Sequence, residues 1–159
     1  MPISESQLQQ QVAQYIRLRY PNALFHSDYG AGVKLTARQG AIQKRQNGGR
    51  RAWPDMFIAE IKRVRKMSGI DQYYGCFIEL KREGTRLQKK NGDWASEHIA
   101  EQAKVLEELR ERGYEAQFAV GFDEAKELIK AGLKRELILK MTSISEYEYS
   151  LIQRELATA

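Results

Sequence analysis

The stretch from Trp53 to Lys81, WPDMFIAEIKRVRKMSGIDQYYGCFIELK, decides how the rest of the chain is read. Two runs rich in aromatic and aliphatic residues, Asp55 to Ile61 and Tyr73 to Lys81, flank a basic link holding Lys62, Arg63, Arg65, Lys66 and Gly69. Such runs read as strands, and two in succession read as an antiparallel hairpin. In that pairing the beginning of the first strand lies opposite the end of the second, which brings Asp55, preceded by Pro54, beside Glu79 and Lys81. Side chains two apart on a strand share a face, so Glu79 and Lys81 project together while Leu80 points away. Glu60-Ile61-Lys62 repeats the acidic-x-Lys pattern, but alternation from Asp55 puts Phe57, Ala59 and Ile61 on its face and Glu60 and Lys62 on the other. Only Glu79 and Lys81 can join Asp55.

Upstream, Ser4 with Gln7 forms a capping-box pattern, and Leu8, Val12, Ile16 and Arg19 recur at helical spacing until Pro21. A helix is expected from about Glu5 to Tyr20, then a short strand from Ala23 to His26. Gly30 to Arg51 holds five glycines and the cations Lys34, Arg38, Lys44, Arg45, Arg50 and Arg51. This reads as a long basic loop, a length that compact domains keep for function. Downstream, the Gly84 to Asp93 turn region leads to Ser96 and a helix with Ile99, Gln102, Ala103, Leu106 and Leu109 on one side, closed by Gly113. Glu115 to Val120 follows as a strand, and Asp123 caps a helix carrying Ala125, Leu128 and Ile129 that ends near Gly132. The tail from Leu133 to Ala159 has Ser145 and Glu148 in capping-box spacing, then Leu151, Ile152 and Leu156, which predicts one more helix. The expected fold class is α/β: a mixed β-sheet flanked by helices in the order α-β-β-β-α-β-α, as residues 1–132, with a helical C-terminal extension, 133–159.

Composition narrows the chemistry. The 159 residues include 26 Lys and Arg against 21 Asp and Glu, a net charge of +5, which favours an anionic partner. One cysteine, Cys76, excludes an internal disulfide or a Cys-based zinc cluster, and two histidines, His26 and His98, exclude a His-rich metal site. Cys76 reads as a small core residue, and His26 as part of the sheet. No apolar run approaches the ~18 residues needed to span a bilayer. The N-terminus lacks the basic and apolar regions of a secretory signal, so a cytoplasmic location is expected.

Two carboxylates close together repel unless a cation sits between them, and hard oxygen ligands with open positions suit Mg²⁺ or Mn²⁺. Such an ion can activate water and stabilise phosphoryl charge, and a lysine alongside can orient that water, so phosphodiester hydrolysis is the natural chemistry. The competing reading of Asp55, Glu79 and Lys81 is a salt-bridge ladder on an exposed hairpin. Phe57, Cys76, Phe77, Ile78 and Leu80 argue instead for an inner strand, where bare carboxylates are costly. The basic residues Lys44, Arg45, Arg50 and Arg51 suit DNA phosphates, and their glycine neighbours permit close backbone approach. Trp53 and Trp94 suit base stacking or rim packing.

With this order of elements, Trp53-Pro54-Asp55-Met56, Phe77-Ile78-Glu79-Leu80-Lys81, a glycine-containing basic turn, and Gln102 on a helix ending in Arg112-Gly113-Tyr114, the chain resembles the restriction-endonuclease-like fold of the PD-(D/E)xK superfamily. Within it, residues 4–131 resemble a stand-alone VRR-NUC (virus-type replication-repair nuclease) domain, with Glu5, four residues before Gln9, matching the opening helix. The resemblance implies Asp55 and Glu79 as metal ligands completed by the Leu80 carbonyl, Lys81 as the catalytic lysine, and Gln102 lining the site. It implies a contribution from Glu5 through water or a second metal, and Mg²⁺ or Mn²⁺ as cofactor. It further implies endonuclease action on branched DNA such as four-way junctions, a homodimer, and a role in phage or bacterial replication, recombination or repair. Ala52 stands where the family often has glycine, and Leu87 to Glu97 reads as an insertion. The alternative from another class is a non-catalytic DNA-binding module that keeps the fold and the basic surface.

Overall fold

The computed structural model describes residues 3–28, 36–49, 52–66 and 69–142. The first helix, α1 (Glu5–Arg19), opens on the expected capping box: the Gln7 amide donates to the Ser4 hydroxyl at 3.2 Å, and the Gln7 side chain accepts from the Ser4 amide at 2.8 Å. Its stripe of Leu8, Val12 and Ile16 is fully buried. Strand β1 (Phe25–Ser27) follows.

The expected basic loop is corrected in its middle. Residues Ala37–Gln46 form a helix, α2, whose Thr36 cap and Gln39 repeat the capping box of α1. The segment lacks the apolar stripe by which helices are usually recognised, and the cap pattern is its one local signal.

Strands β2 (Met56–Ile58) and β5 (Cys76–Lys81) pair antiparallel as expected, with Met56 opposite Ile78 and Ile58 opposite Cys76. They are shorter than the runs in the sequence. The intervening basic link is itself a two-stranded ribbon, β3 (Lys62–Lys66) with β4 (Gly69–Tyr73), set apart from the main sheet. Helix α3 (Glu97–Glu111), capped by Ser96, then carries the chain across to β6 (Glu115–Val120), parallel to β5. The main sheet runs β1-β2-β5-β6, mixed as the sequence implied. Helix α4 (Gly121–Thr142) continues through Gly132, where the sequence suggested an end. One glycine costs a helix only about 1 kcal/mol, too little to stop a helix that is already anchored. The helix expected around 145–156 lies outside the described residues.

Strand β5 is buried along nearly its whole length because both faces of the sheet are covered. On one face, Cys76, Ile78 and Leu80 pack with Met56, Ile58, Ala119, α1 and the Ala125 and Ile129 side of α4. On the other, Phe77 packs with Ala116, Phe118, Tyr114 and the Val105, Leu106 and Leu109 side of α3. Phe77 stacks on Phe57 at 4.4 Å between ring centroids, a cross-strand pair that locks the β2–β5 register.

Entry into β5 depends on Gly75. A Cβ there would stand 2.6 Å from the Phe57 ring and 2.9 Å from the Ile58 carbonyl oxygen. Gly75→Ala is therefore expected to destabilise the protein by about 1–3 kcal/mol through forced displacement of the Phe57–Phe77 stack. A lower urea midpoint with an unchanged slope would register the effect.

Candidate active site

Extending the β2–β5 pairing one step beyond Met56 and Ile78 sets Asp55 opposite Glu79. The Asp55 side chain turns across the strand, and its Oδ2 accepts the Leu80 main-chain N–H at 2.8 Å. Two positions along β5 from Glu79, Lys81 donates from Nζ to Glu79 Oε1 at 2.9 Å. Glu79 and Lys81 are 3% and 5% exposed, so this ion pair is buried on the sheet face that α3 covers. A buried pair of this kind is seldom kept for stability, since desolvation offsets most of the attraction.

Gln102 joins the cluster from α3. It occupies the helix's inward stripe with Ile99, Ala103 and Leu106 and donates from Nε2 to Glu79 Oε1. Its other terminal atom, Oε1, is buried with no protein hydrogen-bond partner. The register of α3 is thus one that delivers Gln102 to Glu79. Glu5, in the first turn of α1, is near enough for its charge to raise the proton affinity of both Asp55 and Glu79.

The electrostatics follow from burial. Burial, reinforced by the neighbouring Asp55 carboxylate, pushes the Glu79 pKa up to about 8, against the pull of Lys81. Burial likewise raises Asp55, although the Leu80 N–H and the Lys81 charge oppose it. With protein groups alone, Glu79 holds a proton more readily than an ordinary carboxyl. A divalent cation between the carboxylates would remove that cost, and it would meet hard oxygen donors next to an unpartnered buried amide oxygen. Among the described residues no group of three or more His, Cys, Asp or Glu side chains is placed to enclose a metal ion. A cation here would rest on two carboxylates with main-chain oxygen and water, the open coordination that Mg²⁺ accepts.

Other candidates fall elsewhere. Lys44 and Arg45 lie in the last turn of α2 and are exposed. Arg50 and Arg51 lie outside the described residues. Trp53 and Trp94 are 39% and 37% exposed, resting on Phe77 and Phe118 respectively. His26 is in β1 and His98 is exposed on α3. Cys76 is buried. The decoy Glu60 accepts the Leu24 amide at 3.2 Å and so has a structural use.

The role of one residue, named in the sequence only as a marker of the opening helix, comes from the structure. Gln9, buried beside Leu8 in α1, donates from Nε2 to the Asp28 carbonyl at 2.6 Å and to the Asp55 carbonyl at 3.2 Å. It ties the end of β1 and the start of β2 to α1, and so fixes the backbone from which the Asp55 carboxylate projects. A glutamine on the inward side of an apolar stripe was the available signal. Gln9→Met keeps the length and removes the donor, and it is expected to cost about 1–3 kcal/mol for the two hydrogen bonds lost, although the Asp55 carbonyl still accepts the Asp28 N–H at 2.8 Å. Denaturant unfolding would measure it. A second outcome follows from Glu79. Its pKa in the folded chain lies above the ordinary 4.5, so the native state holds a proton that the unfolded state releases. Stability in EDTA should therefore be greatest below about pH 4.5 as far as this group is concerned and decline as pH rises through about 8. Glu79→Gln should flatten that decline in thermal unfolding followed from pH 5 to pH 9.

No family model matches the sequence, and no curated protein does. A solved structure described as a VRR_NUC domain protein is similar in fold, with a TM-score of 0.54 and 20% sequence identity over 83% of this chain and 89% of that one. At such identity the likeness speaks for architecture, and the mixed sheet with its flanking helices is a VRR-NUC domain fold of the restriction-endonuclease-like type.

Proposed function

We propose that the protein is a metal-dependent endonuclease that hydrolyses DNA phosphodiester bonds. The observation that carries this reading is the convergence of Asp55, Glu79 and Lys81 on one buried stretch of the central strand, with Gln102 bonded to Glu79. The fold shared with a VRR_NUC domain protein supports it. Asp55 and Glu79 are the carboxylate ligands of Mg²⁺ or Mn²⁺, with the Leu80 carbonyl as main-chain donor and Glu5 contributing through water or a second ion. The bound ion supplies Lewis acidity and a water of lowered pKa.

The chain's own groups do the rest. Lys81 neutralises charge that develops on the phosphoryl oxygens and orients the attacking water. Gln102 holds the Glu79 carboxylate in place through its Nε2 and leaves Oε1 as an acceptor for that water. Gln9 fixes the Asp55 backbone. Lys44 and Arg45, with Arg50 and Arg51, contact DNA phosphates. The substrate is branched DNA, four-way junctions included, and a homodimer sets one active site against each of two strands. The setting is phage or bacterial replication, recombination or repair in the cytoplasm of a bacterial cell.

Purified protein is expected to cleave junction DNA with Mg²⁺ or Mn²⁺ and not with EDTA. Lys81→Ala should lower the rate by roughly 10²–10⁴-fold, and Asp55→Ala should abolish metal-stimulated cleavage while DNA binding persists. Binding that is salt-sensitive and indifferent to chelation, with no cleavage under any metal, would mark a non-catalytic DNA-binding module instead.

A further inference from the structure

Helix α2 has ten residues and not one buried side chain. Isolated helices shorter than about 12–15 residues are marginal in water, and Gly40 in its interior costs about 1 kcal/mol against alanine. Its one large apolar side chain, Ile42, is 44% exposed. The half-buried positions are Gly40, Gln43 and the capping Asn47, so no apolar stripe pins the helix to the sheet. What holds it is local. The Thr36–Gln39 capping box closes one end, and at the other the Trp53 indole N–H donates to the Asn47 carbonyl at 3.1 Å. Lys44 and Arg45 in the last turn complement the helix dipole.

The charge around α2 is of one sign. From Tyr29 to Pro54 the sequence contains no aspartate or glutamate, and Arg38, Lys44 and Arg45 lie on the helix itself. Arg38, Ile42 and Arg45 recur at helical spacing on its exposed side, two cations bracketing an aliphatic group. Cations suit phosphates, arginine also suits guanine edges, and an aliphatic side chain suits a thymine methyl. A bare helix about 10–12 Å across matches a major groove about 12 Å wide. The helix has no aromatic residue of the kind that stacks on the bases of single strands.

We propose that α2 is a groove-docking helix that lies in the major groove of duplex DNA with Arg38, Ile42 and Arg45 facing the nucleic acid. This rests on the reading of the protein as a DNA-cleaving enzyme and adds the duplex arm as the partner of a defined element. DNA supplies the packing surface that the protein does not give α2, so the helix is held loosely in the free protein and firmly in the complex.

The test is hydrogen exchange over residues 37–46 in the full-length protein in EDTA, with and without a 20-base-pair duplex or a single strand of equal length. Fast exchange in free protein and strong protection by duplex, with little by single strand, is expected. The exposed double variant Arg38→Gln/Arg45→Gln should keep its thermal midpoint, bind duplex more weakly, and show a log–log salt slope shallower by about 2. Exchange unchanged by duplex, equal protection by single strand, or an unchanged salt slope would overturn the proposal. Cleavage by the wild type with α2 unprotected would sink this inference and spare the nuclease reading. Protection of α2 without cleavage under any metal would do the reverse.

Discussion

A carboxylate and an ammonium taken out of water on the central strand of the sheet set the terms for everything around them. The Glu79–Lys81 pair can be buried only because α3 lies over it and because each group has a partner, Lys81 for Glu79 and Glu79 in turn for Gln102. Removing either charge would strand the other in a low-dielectric interior, a cost of several kcal/mol in typical proteins. Strand order, helix register and the position of Asp55 all serve this cluster.

Two glutamines from helices on opposite faces of the sheet converge on it. Gln102 reaches from α3 to the Glu79 side chain, while Gln9 reaches from α1 to the backbone at Asp28 and Asp55. Each grips one carboxylate residue, one by its side chain and the other by its main chain. The cluster thereby senses both hydrophobic cores, since Leu8 and Val12 seat α1 while Leu106 and Leu109 seat α3. Preorganisation of this kind is what a site needs if little reorganisation is to accompany reaction.

Much of this was legible from residue order. The two-residue period placed Glu79 and Lys81 on one face, antiparallel pairing brought Asp55 to them, and alternation dismissed Glu60 and Lys62; the structure has Glu60 accepting the Leu24 amide and Lys62 opening β3. The helical stripes of α1 and α3 announced themselves through Leu8, Val12 and Ile16 and through Ile99, Leu106 and Leu109. What was not legible lacked an apolar period. Helix α2 buries nothing, so only Thr36 and Gln39 betray it. Strand β3 is charged at four of its five positions and β4 at one, so the ribbon reads as a link until its partner strand is known. Gln9 acts through carbonyls 19 and 46 residues away, contacts that no local pattern encodes.

The β3–β4 ribbon leaves the sheet between Ile58 and Cys76, which are already opposite one another. The ribbon marks one end of that ladder, where β3 also meets α4, while Asp55 and Glu79 stand at the other. A change in the ribbon's length therefore enters the ladder at the end farthest from the acidic pair. The same two strands thus carry a basic ribbon at one end and the acidic cluster at the other, with the Phe57–Phe77 stack between them.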